Sequence, residues 1–304
     1  MKNREKQKQM RKPLKDLTLL DRFLFDTAMS DPEISHNILS IIFSDREIPA
    51  IRISAVEQTE EPYYDSRAVR LDLLAIDEDD SVYDAEAQKE NKGKRFLMRR
   101  SRLYQSAIDM NLLKPGDLDF GRMNDVYVIF IAPFDLFGEG KYMYTFRMTC
   151  DEVPGLPMND GAVRIFLNTH GRNDDEVQPG LVEFLHYMEA PDRYGKNIQD
   201  SRVQRLAGQI EMLKNSQEVG VKYMRLWEEL KDARIEARME GRMEGRMEGR
   251  MEGRMEGRIE GHEAAILESI KNLIESTHWP VEQAMDILKV PETERDKYLN
   301  LLEK

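Results

Sequence analysis

An internal disulfide is closed to this chain, because its 304 residues include a single cysteine, Cys150. One thiol can neither close an internal disulfide nor build a Cys-rich zinc site. With no catalytic pattern around it, Cys150 reads as a small buried hydrophobe. Histidine is also scarce. His36, His170, His186, His262 and His278 show no metal-ligand spacing. There is no glycine-rich phosphate loop and no nucleophile elbow, which excludes kinase, NTPase and triad-hydrolase readings. Long apolar runs are missing too. The most apolar stretch, Val126 to Phe134, is far shorter than the roughly 20 residues of a membrane helix. The segment Met1 to Lys15 is basic and polar, unlike a signal peptide. A soluble, cytoplasmic protein without a membrane partner is therefore expected.

Positive charge is in deficit overall, with a formal net charge of −12. That sum argues against a non-specific nucleic-acid binder, but its distribution is uneven. Lys89, Lys92, Lys94, Arg95, Arg99, Arg100 and Arg102 crowd together against the single acid Glu90. A second basic stretch holds Lys2, Arg4, Lys6, Lys8, Arg11, Lys12 and Lys15. A phosphate backbone responds to local field rather than to net charge; the bland alternative is two ordinary solvated surfaces. Charged residues make up 34% of the chain, above the usual share of about a quarter, so part of it should be solvated helix. The length suits one sizeable core with an appendage, or two domains.

Local patterns give the elements. Thr18 followed by Asp21 resembles a capping box, so a first helix is expected from Thr18, with Leu19, Leu20, Phe23 and Leu24 in helical spacing. Ser30-Asp31-Pro32-Glu33 signals a second helix, with Ile34, Ile38, Ile41 and Ile42 as its apolar face. Val69 to Asp77 and Val82 to Gln88 read as strands joined by the acidic turn 78–81. A helix follows from Arg95 to Leu113, with Phe96, Leu103, Ala107 and Met110 as its buried stripe. The nearly all-apolar Asp125 to Ile131 reads as a central strand buried on both faces. Tyr142 to Cys150 and Ala162 to Asn168 read as further strands, and Leu181 to Met188 and Val203 to Leu230 as helices. The order implies an α/β domain with helices on a mixed sheet.

The hairpin carries the sharpest chemical signal. Side chains alternate along a strand, so Asp84, Glu86 and Gln88 share one face, opposite Tyr83, Ala85 and Ala87. In the partner strand Arg70, Asp72 and Leu74 share a face. Pairing can then set Asp72 beside Glu86. Two adjacent carboxylates repel unless a cation lies between them, and Mg²⁺ or Mn²⁺ favours such oxygen ligands. Spacing alone favours the blander alternative, a solvated acidic face of an edge hairpin.

Asp72, then Glu86-Ala87-Gln88, then a basic helix, resembles the Asp…Glu-x-Lys core of PD-(D/E)XK nucleases. Leu17-Thr18-Leu19-Leu20-Asp21-Arg22-Phe23-Leu24-Phe25 resembles the opening of the recombination-promoting nuclease/putative transposase group within that superfamily. So do Arg102-Leu103-Tyr104-Gln105-Ser106-Ala107-Ile108-Asp109, Val126-Tyr127-Val128-Ile129-Phe130-Ile131, Phe134-Asp135-Leu136-Phe137-Gly138 and Ile165-Phe166-Leu167-Asn168-Thr169. The blocks keep the family's order, and residues from about 14 to 190 resemble its catalytic domain. The resemblance implies a restriction-endonuclease-like core, a mixed β-sheet flanked by helices, with a helical C-terminal extension. It implies a metal-dependent DNA endonuclease using Mg²⁺ or Mn²⁺, with Asp72 and Glu86 as metal-binding carboxylates. The usual lysine position falls on Gln88, as it often does in this group. Gln88 cannot act as a charged Lewis acid; it can orient a water, with Lys89, Lys92 or Lys94 supplying charge. An acid on the first helix often assists in this fold, and Asp21 is the candidate, although it can equally cap its own helix. Asp84 reads as a secondary or solvated acid, and Tyr104 as core. Lys89, Lys92, Lys94, Arg95, Arg99 and Arg102 are the candidate nucleic-acid contacts.

The expected divisions are a basic arm over 1–13, the nuclease-like domain over 14–230, a repeat over 231–262 and a small helical tail over 263–304. Met-Glu-Gly-Arg occurs five times from Met239 to Arg258. Like residues drift by about 40° per unit around a straight helix, and each Gly costs about 1 kcal/mol against Ala. The repeat is either a flexible linker or an oligomerisation rod, and 235–304 is a candidate self-association region. The tail's second helix, with Glu292, Glu294 and Asp296, suits a major groove poorly and reads as a docking module. The competing function is a catalytically inactive nuclease-fold scaffold that binds DNA or protein; Gln88 and the net charge favour it, while the Asp72/Glu86 pair favours the enzyme.

Overall fold

The computed structural model describes residues 12–60, 69–112 and 119–302; the side chains of 53–74 and of Asn111 fall outside that description. The basic stretch up to Arg11 therefore lies outside the described residues. The chain divides into two compact units, Met1–Trp227 and Glu228–Lys304.

In the first unit, α1 (Arg22–Met29) and α2 (Pro32–Ile42) precede three strands, β1 (Ile51–Glu60), β2 (Val69–Asp77) and β3 (Val82–Ala87). Then come α3 (Lys94–Leu112), β4 (Val126–Ala132), β5 (Met143–Phe146), β6 (Ala162–Asn168), α4 (Pro179–Glu189), α5 (Pro191–Tyr194) and α6 (Ser201–Asn215). The sheet order is β1-β2-β3-β4-β6-β5. The β1/β2, β2/β3 and β5/β6 pairs are antiparallel, and β3/β4 and β4/β6 are parallel. This is a mixed α/β fold on a six-stranded mixed sheet.

Parallel β3 and β4 need a crossover, and α3 supplies it, so α3 covers the sheet face beside β3. On that face Leu97, Tyr104, Ala107 and Ile108 pack on Val82, Val126, Val128, Phe130 and Phe166. The other face carries the larger core, where Tyr83, Ala85, Ile129 and Ile131 meet buried residues of α1, α2, α4 and α6. All seven residues of β4 are buried, as an apolar strand between two helical layers requires.

Several expectations change. The first helix starts at Arg22 and not at Thr18, because Leu17, Leu19 and Leu20 pack into the core ahead of it. Half of the capping box survives: the Thr18 N–H donates to the Asp21 carboxylate at 2.9 Å. In α2 the expected signal holds, with Asp31 accepting from the N–H groups of Glu33 and Ile34 at 2.9 and 3.1 Å. The stripe expected on α3 is wrong except at Ala107. Phe96, Leu103 and Met110 are 49%, 50% and 47% exposed, whereas Leu97, Ser101, Tyr104 and Ile108 face inward. β5 is shorter than 142–150 because Phe146 pairs with Arg164, close to where β6 begins. The single helix expected over 203–230 is broken at Ser216, which is extended (φ −71°, ψ 128°). Its hydroxyl caps the N–H of Val219 at 3.4 Å. Cys150 is half-buried, within hydrogen-bond distance of Glu152, rather than buried. The strand β1 had not been anticipated.

Helix α7 (Gln217–Thr277) contains the whole repeat. Of the two alternatives left open, the segment is helical rather than flexible, and Met239, Met243, Met247, Met251 and Met255 are 56% to 69% exposed. Within the second unit, α8 (Val281–Ile287) and α9 (Glu292–Leu302) fold against the end of α7 through Ile270, Ala284, Met285, Val290 and Tyr298. No helix among the described residues is long and apolar enough to cross a membrane.

Candidate functional site

The alternation read from β3 is realised, but its polar face is not at the surface. Asp84, Glu86 and Gln88 are only 1%, 6% and 6% exposed. The reason is the crossover: β3 ends, Gly93 turns the chain at a φ of +89°, and α3 returns across the face. The reading of Asp84 as a solvated acid is therefore corrected.

Arg100 organises this face. Its guanidinium lies 2.6 Å from Glu86 Oε1. It also donates to Gln88 Oε1 at 3.0 Å and to the Tyr104 hydroxyl at 2.6 Å, with its cationic carbon 4.9 Å from the Tyr104 ring centre. The Gln88 amide NH₂ donates to the Glu90 carbonyl at 2.5 Å. Gln88 is thus held by both ends. Tyr104 is buried as expected, yet its hydroxyl belongs to this polar group.

Three acidic oxygens remain unsatisfied. Glu86 Oε2 and both oxygens of Asp84 are buried with no hydrogen-bond partner among the described residues. Burial pushes the Glu86 carboxyl above its usual range, against the opposing charges of Arg100 and Arg22. Burial, aided by the charge of Glu86, pushes Asp84 well above its usual range. Burial and the charge of Glu86 likewise raise the Tyr104 phenol. Unpartnered buried oxygens are costly, and a hard cation satisfies them with the ligand type it prefers. The donor set therefore fits a divalent cation. Among the described residues, however, no group of three or more acidic, histidine or cysteine residues is placed to hold one.

Asp72 belongs to β2, and its side chain lies outside the description. The register pairs Leu74 with Asp84, Ala75 with Tyr83 and Ile76 with Val82, and the pairing ends at Leu74 and Asp84, two residues short of position 72.

Asp21 stands at the edge of this region, where Lys89 reaches it from beyond β3. Its carboxylate accepts from Lys12 at 2.6 Å and Lys89 at 2.7 Å as well as from the Thr18 N–H. Burial alone would raise its pKa, but these partners outweigh burial and bring it down to about 2. Both oxygens are already held by cations, an arrangement that positions Lys89. A carboxyl with a lowered folded pKa stabilises the fold above its unfolded value, near 3.8, and loses that contribution as pH falls through the folded value. Asp21→Asn should therefore be less stable than the parent at neutral pH. In acid titrations followed by circular dichroism, the gap should narrow between pH 3.8 and about 2.

The other basic candidates divide. Lys92 lies 3.7 Å from Glu90, and the Lys94 ammonium sits 4.8 Å from the Phe137 ring centre. Arg95, Arg99 and Arg102 are exposed along one side of α3, four and three residues apart, with no ion pair among the described residues. Arg100, by contrast, turns inward. Sequence reasoning counted it as one more charge in the cluster; its i+4 spacing to Tyr104 was the available hint.

The chain matches no protein-family model, no curated protein and no solved structure with which it was compared.

Proposed function

We propose that the first unit is a metal-dependent DNA endonuclease of the recombination-promoting type, built on a restriction-endonuclease-like core. The observation that carries this reading is the buried face of β3. It presents Glu86 and Asp84 oxygens without partners, on the strand that pairs with the one carrying Asp72, and beneath a basic helix.

When bound, Mg²⁺ or Mn²⁺ supplies an acidified water and stabilises charge on the attacked phosphate. Asp72 and Glu86 would hold the cation. Gln88, clamped between Arg100 and the Glu90 carbonyl, would orient a water. Arg100 supplies the fixed positive charge that the superfamily's lysine brings; the lysines following Gln88 instead reach Asp21, Glu90 and Phe137. Arg95, Arg99 and Arg102 take the DNA backbone as bidentate phosphate contacts.

Nicking of supercoiled plasmid tests this directly. The parent protein should nick in Mg²⁺ or Mn²⁺, and Asp72→Ala and Glu86→Ala should each lose the activity, by at least about a thousandfold for a step that depends on the metal. Activity unchanged in Glu86→Ala would refute the assignment.

The competing scaffold reading is favoured by the exposed Met-Glu-Gly-Arg helix. A helix interrupted by Gly every fourth residue, with its Met side chains in water, gains from a covering partner. Self-association through residues 235–304 is compatible with either reading. On the scaffold reading alone, Glu86→Ala leaves the binding of DNA or a partner intact in protein that remains folded.

A further inference from the structure

We infer that Asp84 is itself a ligand of the cation, sharing it with Glu86 from the same strand. This rests on the metal-site reading above and extends it to a residue that the Asp…Glu-x-Gln motif does not contain.

The argument is one of placement and satisfaction. Positions 84 and 86 are two apart on β3, so their side chains leave the same face with Cα atoms about 7 Å apart. Carboxylates at that spacing can converge on one small ion. Asp84 is 1% exposed, and neither of its oxygens meets a donor among the described residues. Its neighbours across the sheet are Leu74 on β2 and Val128 on β4, and neither side chain can donate a hydrogen bond. Arg100, the cation nearest this face, is already divided among Glu86, Gln88 and Tyr104. A structural acid in such a setting would be expected to own a hydrogen bond. Glu86 spends Oε1 on Arg100 and leaves Oε2 free. The three unpartnered oxygens thus belong to neighbouring positions on one face of β3. A hard divalent cation with several oxygen ligands accounts for all three together.

The test is Mn²⁺ binding to the full chain, read from thermal unfolding across a metal titration and from the electron-spin signal of free Mn²⁺. The parent should be stabilised as Mn²⁺ saturates it. Asp84→Asn keeps the shape of the side chain and should weaken Mn²⁺ at least about tenfold, the loss that even outer-shell partners of a metal produce. Its unfolding temperature without metal should equal or exceed the parent's. In a Cys150→Ser background, Asp84→Cys should turn the preference from Mn²⁺ toward the thiophilic Cd²⁺, a switch that no packing role would produce. Two results separate the inference from the reading beneath it. Unaltered Mn²⁺ affinity in Asp84→Asn, with binding lost in Glu86→Gln, overturns the role of Asp84 and leaves the site standing. No Mn²⁺ binding by the parent overturns both.

Discussion

Arg100→Ala should destabilise the first unit by about 3 kcal/mol, because it strands Glu86 as a buried carboxylate without its counter-charge. Glu86 is 8% and Arg100 22% exposed at the side chain, so the pair is shielded from most solvent screening. At this size each kcal/mol moves the melting temperature by roughly 2 to 4 °C, so a drop of roughly 6 to 12 °C is expected. The double variant with Glu86→Gln should recover most of that loss, since a neutral amide tolerates burial better than an unpaired charge. Arg100→Lys should recover only part of it, because an ammonium cannot fork between Glu86 and Gln88 while lying over the Tyr104 ring. Thermal unfolding of the parent, Arg100→Ala, Glu86→Gln and the double variant reads the coupling directly. If Arg100→Ala melts with the parent, Arg100 does not hold this face together.

Ile108→Ala should cost about 3 kcal/mol, and Leu103→Ala under about 1 kcal/mol, although both remove aliphatic carbon from the same helix. Ile108 is fully buried against β4 and β6, whereas Leu103 is 50% exposed. Urea titrations of the two variants would check the phase of α3. Equal losses would mean that Leu103 is covered, and that the helix presents a different face to the sheet. The phase matters for function, because the same rotation turns Arg100 toward Glu86 and leaves Arg95, Arg99 and Arg102 outside.

That phase is also where sequence reasoning failed for a physical reason. Two apolar sets compete on α3. Phe96, Leu103 and Met110 are the more hydrophobic, and they lie outward. The inward set is interrupted by Ser101 and Gln105, whose side chains bond Met98 and Asp109 within the helix, and by Arg100, which serves the polar face of β3. A hydrophobicity stripe cannot identify a helix face whose burial is partly polar. The strands β2 and β6 were legible to the residue, and β4 to within one residue at each end, because their apolar or alternating runs are plain in the sequence. So was the start of α2, where Asp31 and Pro32 act locally. β1 was not legible: Ile51–Glu60 carries Arg52, Glu57, Gln58 and Glu60, too polar to stand out.

For the site, alternation placed Asp84, Glu86 and Gln88 on one face but could not give their depth. Depth is set by α3 crossing overhead, and no local pattern reports that. Likewise, the basic cluster was plain, yet only the fold distinguishes the one arginine that enters from those that remain in solvent. In the repeat, glycine lowers helix propensity without abolishing it, so composition could not decide between linker and helix; flanking helical turns on both sides decide it.

The central claim is that this buried carboxylate face cuts DNA with a divalent cation. The most direct measurement is nicking of supercoiled plasmid by the purified parent protein, with Mg²⁺ or Mn²⁺ and again with chelator, at concentrations where DNA binding is independently seen. Nicking that needs the metal and disappears in Glu86→Ala is the expected result. Intact plasmid under conditions of demonstrated DNA binding would contradict the account and turn attention to the helical repeat and its tail.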